Sequence, residues 1–164
     1  MKKFNDGSLM QAVLSEETGT LIFYGIGAVT GVDRWIPKEI EGFVRQVVFG
    51  KGITSIDKYE FSPEFVLNRN FVNLKKVSFF GNINKVGDFA FNGNPNLEEV
   101  IFHQGCRVIG EMAFRDCPAL RRAVGITKKC CLRSSTIHHE THNEIISPFH
   151  ETPLQKRFQS RVAK

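Results

Sequence analysis

VSFFGNINKVGDFAFNGNPNL, residues 77–97, is followed almost at once by VIFHQGCRVIGEMAFRDCPAL, residues 100–120. The second stretch repeats the first with a shift of 23 residues, and the charged residues between the matching positions change freely. The identical positions are all apolar, glycine or proline: Val77, Phe79, Gly87, Ala90, Phe91, Pro95 and Leu97. Such a period is typical of a solenoid, in which each unit buries its apolar face against its neighbours. The repeated pattern therefore reports a core and not a catalytic site.

The repeat extends towards the N-terminus with an offset of 30 residues, so that the first unit contains seven extra residues. The excess lies between Ser62 and Asn73, and insertions of this kind map to loops on one face of a solenoid. A further unit begins at Leu120 but runs into polar sequence. The sequence therefore predicts about three units, which span residues 44–74 with the insertion, 75–97 and 98–124.

Within each unit, apolar residues alternate with other residues. In the second unit, Val77 and Phe79 have strand periodicity, which places Lys76, Ser78 and Phe80 on the opposite face. Ile83 and Val86 are again predicted to point into the core, and an Asn/Gly/Pro turn follows them. We expect each unit to be a short strand, a turn and a helical or irregular return, which makes the fold an α/β solenoid with parallel strands.

Three segments resemble the BspA-like leucine-rich repeats: ITSIDKYEF (53–61), INKVGDFAFNGNPNLEEV (83–100) and CRVIGEMAFRDCPALRRA (106–123). GTLIFYGIGAV (19–29) is similar to the lead-in that often precedes the first repeat in that family. The resemblance covers residues 19–124, with departures at Asp57, Glu60 and Asn94. It implies a parallel-stranded solenoid used for adhesion and protein binding, without catalytic residues or a cofactor.

Two N-terminal regions precede the repeats, a leading segment at 1–18 and a predicted β cap at 19–43. Terminal units of a solenoid need a cover for their open face, and Trp35, Ile36, Ile40 and Phe43 are suited to that role. The longest apolar run, Leu21 to Val29, is shorter than the roughly 18 residues of a membrane span. Met1-Lys2-Lys3 is not followed by an apolar stretch, which favours a cytoplasmic protein, although the family resembled is often secreted or on the cell surface.

Positive charge is concentrated at the C-terminus. From Arg121 to Lys164 nine Lys or Arg face three Glu, a balance of +6 in a chain of net charge +5. Residues 125–164 are polar and without apolar period, and we expect a basic, disordered tail. Clustered cations also bind phosphate backbones, so nucleic-acid or anionic-surface binding through this tail is the alternative function.

Catalytic and metal-binding motifs are weak. Cys106 and Cys117 fall on repeat positions and are expected to be small buried apolar residues. Cys130 and Cys131, with His138, His139 and His142, form a possible metal cluster, but HHETH lacks the second histidine of H-E-x-x-H because Asn143 follows it. We therefore expect a protein that is not an enzyme and holds no metal.

Stacking the units in register creates three columns on the strand face that points away from the core. One column is charged (Gln46, Lys76, Glu99, Arg122) and two are largely apolar (Val48, Ser78, Ile101, Val124, then Gly50, Phe80, His103, Ile126). An exposed apolar patch with a charged rim is typical of a protein contact site, unless the insertion or the tail covers it. The predicted partner-binding residues are Val48, Lys76, Ser78, Phe80, Glu99, Ile101, His103, Arg122 and Val124.

Overall fold

In the computed structural model the chain forms a solenoid in which each turn gives one strand to each of two sheets. The structure describes residues 1–5, 7, 9–63, 71–126 and 130–133. Two helices of four residues each lie between the first and second turns. The elements in chain order are β1 (Lys2–Asn5), β2 (Gln11–Ser15), β3 (Thr20–Tyr24), β4 (Gly27–Val29), α1 (Val32–Trp35), α2 (Lys38–Glu41), β5 (Gln46–Phe49), β6 (Ile53–Ile56), β7 (Lys76–Phe79), β8 (Ile83–Val86), β9 (Glu99–Phe102), β10 (Cys106–Ile109), β11 (Arg122–Val124) and β12 (Cys131–Leu132).

The first sheet has the strand order β1-β2-β3-β5-β7-β9-β11, and the second has the order β4-β6-β8-β10-β12. From β3 onwards every pair in the first sheet is parallel, whereas β2 is antiparallel to both of its neighbours, β1 and β3. All pairs in the second sheet are parallel. The parallel-stranded solenoid predicted from the repeats is thereby confirmed.

The array is longer than the sequence analysis predicted, with about four turns instead of three units. The extra turn is made by β3 and β4, from the segment interpreted as a cap. Leu21 pairs with Val47 at an offset of 26 residues, whereas Val29 pairs with Ile56 at an offset of 27, so no constant period marks this turn. The hairpin of β1 and β2 lies outside the turn made by β3 and β4. A capping role for the N-terminal region stays a prediction.

The return half of each described turn is a strand of the second sheet and not a helix. Its apolar residues point inwards in the same register as those of the first sheet; Ile53, Ile83 and Cys106 are all buried. β12 lies in the segment assigned to the tail, where it pairs with β10. The remainder of that predicted disordered tail, from residue 134, is outside the described residues, as are residues 64–70 of the insertion.

Two columns of phenylalanine rings fill the core. In the first column, successive ring centroids are 5.3, 4.8 and 4.6 Å apart along Phe23, Phe49, Phe79 and Phe102. In the second, the separations are 5.1 and 5.3 Å along Phe61, Phe91 and Phe114. Rings of different columns meet edge to face, which is a favourable arrangement of aromatic quadrupoles.

At the N-terminal end of the array the half-buried Trp35 meets Phe23 edge to face at 5.5 Å. Ile36 and Ile40 are buried beside it, but Phe43 is 68% exposed, so the prediction that Phe43 closes this end is wrong. The reason is its position in the turn. Phe43 stands where later turns have Asn73 and Asn96, which donate from their amide groups to main-chain carbonyls of the preceding turn at the outer edge.

Two departures from the repeat pattern have structural roles. The Glu60 carboxylate accepts the main-chain N–H groups of Gly31 and Val32, both at 2.8 Å, at the start of α1. Asn94 donates its amide to the carbonyls of Phe61 and Phe91, both at 2.8 Å. Each side chain thus provides hydrogen-bond partners for two main-chain groups. Such partners matter because a buried polar group without one is costly.

Replacing Phe91 by alanine is expected to lower the free energy of unfolding by roughly 3–5 kcal/mol. The ring stacks on both neighbours in its column, so its removal leaves a cavity between two turns. Chemical denaturation measures the change, with the exposed Phe43→Ala as control, for which we expect a change within about 0.5 kcal/mol. Equal stability of the two variants would contradict the repeat assignment.

Candidate functional site: the exposed face of the first sheet

The strand face is the outward side of β5, β7, β9 and β11. Backbone pairing places Gln46, Lys76, Glu99 and Arg122 side by side, and Val48, Ser78, Ile101 and Val124 likewise. Phe80 and His103 come directly after their strands and continue the parallel ladder, because each donates its main-chain N–H to the preceding turn. The three columns derived from the sequence are therefore present in the backbone.

The rings of Phe80 and His103 stack on this face with centroids 4.1 Å apart and an interplanar angle of 16°. Phe80 is 39% exposed, and His103 is exposed as well. Because both rings are exposed to solvent, the edges of the rings and the outer face of the stack can contact a ligand. This pair is the main apolar feature that the described part of the strand face presents to solvent.

The side chains of the middle column are less exposed than expected. Val48, Ile101 and Val124 are half-buried, whereas Ser78 is only 2% exposed. Its short side chain lies between the larger Val48 and Ile101 on adjacent strands. Ser78 therefore offers little surface to a partner, and the contact predicted for it has little support from its position.

Tyr24 extends the third column and was missed in the sequence analysis. It is the last residue of β3, and because Phe23 pairs with Phe49 it lies beside Gly50. Its hydroxyl donates to the side-chain oxygen of Gln11 at 2.9 Å, towards β2 and away from Gly50. Gly50 has no side chain, so the column has a notch between Tyr24 and Phe80. With neighbouring strands about 4.8 Å apart, the notch is about 10 Å from one aromatic residue to the other.

Charged residues along the edge where the strands begin form ion pairs between adjacent turns. Lys76 lies 2.8 Å from the Glu99 carboxylate, which also binds Arg122. In the neighbouring row Glu98 lies 2.8 Å from Arg121 and 3.5 Å from Lys75. Each glutamate thus bridges two cations, so each row carries one net positive charge.

These contacts hold both carboxylates in their charged form. The hydrogen bond from Lys76 is the largest cause that lowers the pKa of Glu99 below its ordinary value of 4.5, and Arg122 adds to it. The pKa of Glu98 is lowered chiefly by its hydrogen bond from Arg121. Lys76, Glu99 and Arg122, all predicted to bind the partner, are therefore already engaged with one another.

The other candidate residues are distributed differently. Cys106 and Cys117 are buried, as predicted, each 4% exposed. Within the described ranges no group of three or more His, Cys, Asp or Glu is arranged to hold a metal ion. His138, His139 and His142 lie outside those ranges. No helix of the described chain is both long and apolar enough to cross a membrane.

The sequence also matches a family model, that of the BspA-type leucine-rich repeat region, over residues 43–138 in six copies. The match covers more than half of the chain. The chain belongs to the BspA-type leucine-rich repeat family. Membership agrees with the parallel strand pairs of the solenoid and with the resemblance seen in the sequence. No curated protein matches the chain significantly.

Two solved bacterial structures are similar to this BspA-type chain. A leucine-rich repeat protein from Eubacterium ventriosum has a TM-score of 0.58 at 22% identity, over 84% of this chain and 40% of that protein. A leucine-rich cell surface protein from Faecalibacterium prausnitzii has a TM-score of 0.45 at 16% identity, over 80% and 32% respectively. The chain thus spans less than half the length of either neighbour, and the first similarity supports the fold alone.

Glu99→Gln tests the ion pairs of the rim. The folded-state pKa of Glu99 is lowered, so its stabilisation is present above the unfolded value near 4.5 and is lost as the pH falls through the lower folded value. We expect the variant to be less stable than wild type by up to about 1 kcal/mol at pH 7, and this deficit to be smaller at pH 3. Thermal melts at both pH values measure this, with Glu17→Gln as the exposed control. A deficit that persists undiminished at low pH would show that Glu99 acts through packing.

Proposed function

We propose that this chain is a non-catalytic interaction module that binds a protein partner through the strand face. The observation that carries the proposal is the Phe80–His103 stack, an exposed aromatic pair on the strand face. Aromatic residues that bury large area at little entropic cost are frequent anchors of protein interfaces. The family supports an interaction role in general, and the assignment of the face is ours.

The notch at Gly50 suggests what the partner inserts. Phe80 and His103 illustrate how rings stack on adjacent strands of this face. One flat side chain above Gly50 would lie about 4.8 Å from both Tyr24 and Phe80, a spacing suited to offset aromatic stacking. We therefore propose that an aromatic side chain of the partner completes the column between these two residues.

The charge at the edge suggests what surrounds that anchor. Arg45, Lys75, Lys76, Arg121 and Arg122 face only Glu98 and Glu99 along this edge, which leaves three net positive charges. Complementary charge steers association more than it adds affinity. The partner segment is proposed to carry acidic residues next to its aromatic anchor, and its association rate should fall as salt is raised.

The alternative, nucleic-acid binding through the basic tail, has weaker support. Of the nine cations between Arg121 and Lys164, Arg121 and Arg122 lie before the tail and are engaged with Glu98 and Glu99. The others, apart from Arg133, fall outside the described residues. Binding of phosphate backbones by this segment stays a prediction.

The binding proposal is tested with a photo-crosslinking amino acid at position 80 and, separately, at position 132. Leu132 is 42% exposed on the second sheet, which matches the 39% of Phe80. Position 80 should yield one discrete adduct, whose protein component is then purified for binding measurements. Phe80→Ala with Ile101→Ser should weaken that binding about 30-fold or more, while Leu132→Ala leaves it unchanged.

Two further results decide between the parts of the proposal. Gly50→Phe places a ring of the chain itself in the notch and should also weaken binding. A Cβ atom at position 50 would lie 3.2 Å from the Phe23 carbonyl oxygen, so the backbone there must shift by a few tenths of an ångström. If the double variant loses binding and Gly50→Phe does not, the strand face binds but the notch is empty in the complex. If a folded double variant binds as wild type does, the strand face is not the site.

A further inference from the structure

Two cysteines from distant parts of the sequence meet at the C-terminal end of the solenoid. Cys106 is the first residue of β10 and is buried. Cys130 directly precedes β12, is half-buried, and packs against the core. From the sequence, Cys106 is predicted to be a small buried apolar residue only, because nothing in the sequence indicates that β12 returns to it.

The strand register fixes how far apart the two backbones lie. Val108 pairs with Cys131 and Ile109 with Leu132. Continuing this register one residue beyond the paired segment sets the backbone of Cys130 beside Arg107, next in sequence to Cys106. Because Cys130 lies outside β12, its side chain does not follow Arg107 outwards but packs against the core. With strands about 4.8 Å apart and about 3.3 Å of rise per residue, the diagonal from Cys130 to Cys106 separates the two Cα atoms by about 5.8 Å. Disulfides have Cα separations of about 4.4–6.8 Å, most often near 5.5–6 Å.

The side chains also meet. A hydrogen bond joins the two thiols, and it is the largest cause that lowers the pKa of Cys106 and raises that of Cys130. Cys131 is exposed, and the Cys117 thiol contacts the Phe91 carbonyl at 3.2 Å. Cys131 and Cys117 are therefore not part of the Cys106–Cys130 pair.

We propose that Cys106 and Cys130 are an oxidisable pair whose disulfide fastens β12 onto the last turn. The oxidant is a small disulfide such as oxidised glutathione. The pair loses one proton to solvent, and the proton that the two sulfurs still share passes to Cys106. Cys130, the more exposed sulfur, then attacks one sulfur of the small disulfide as a thiolate, which releases one thiolate and leaves a mixed disulfide. Cys106 loses its proton and displaces the second thiolate, so that two protein thiols become one disulfide while the small disulfide becomes two thiols.

The bond would act where the described array is least held together. β12 has two residues, and its strand pairing in the described chain is with β10 alone, supplemented by a hydrogen bond from the Arg133 N–H to the Ile109 carbonyl at 3.1 Å. A short edge strand frays readily, and the last turn of a solenoid needs a cover. A covalent link beside β12 would keep that cover in place under oxidising conditions and release it when reduced.

The test uses the full chain carrying Cys131→Ser, which leaves one cysteine in the tryptic peptide 130–133. After equilibration with oxidised glutathione and blocking of free thiols, we expect a loss of about 2 Da and a linked pair of peptides, 86–107 with 130–133. The melting temperature should rise by roughly 5–10 °C relative to the reduced protein. Hydrogen exchange at the Arg133 amide should slow as well.

The matched control adds Cys130→Ser, a change at a half-buried position that leaves the core intact. This variant should form no link and show no oxidative shift in melting temperature. The proposal is overturned if Cys130 is recovered only as a glutathione adduct, only linked to Cys117, or only in a disulfide between two chains. A linked peptide without any change in melting temperature or exchange would overturn the fastening role.

Discussion

Everything in this structure depends on the constraint that each turn must lie in register above the previous one. Parallel strands about 4.8 Å apart and phenylalanine rings that stack at 4.6–5.3 Å satisfy that constraint together. The backbone register that brings Phe79 onto Phe102 also brings Phe80 onto His103, since adjacent residues point to opposite faces. The core thereby determines the arrangement of the outer surface, and the proposed binding face is its outward counterpart.

The same register recurs as one backbone conformation in the turns that follow β6, β8 and β10. Tyr59, Phe89 and Met112 occupy equivalent positions and have φ angles of 66°, 57° and 52°. A left-handed conformation costs a residue with a side chain about 1–2 kcal/mol, and glycine would avoid this cost. Large side chains recur there nonetheless, and the rings of Tyr59 and Phe89 stack at 5.4 Å. Contact between successive turns offsets the strain at these positions.

Sequence alone predicted the features that a strict period reveals. The spacing of Val77, Phe79 and Phe91 indicated the strands, the core and the outward columns, because burial repeats with the unit. It did not reveal the turn made by β3 and β4, whose offset differs, or β12, which is too short to carry a pattern. The burial of Ser78 and the sharing of Glu99 between two cations were also missed, since both depend on neighbours 23 or 30 residues away.

The most direct test of this account is hydroxyl-radical footprinting of the free, full-length chain. Phe79 and Phe80 are adjacent in sequence but lie on opposite faces of β7 and its continuation, so one residue is the internal control for the other. The account predicts rapid oxidation of Phe80 and His103 and negligible oxidation of Phe79 and Phe102. Protection of Phe80 equal to that of Phe79 would contradict it, because another part of the chain would then cover the face proposed to bind a partner.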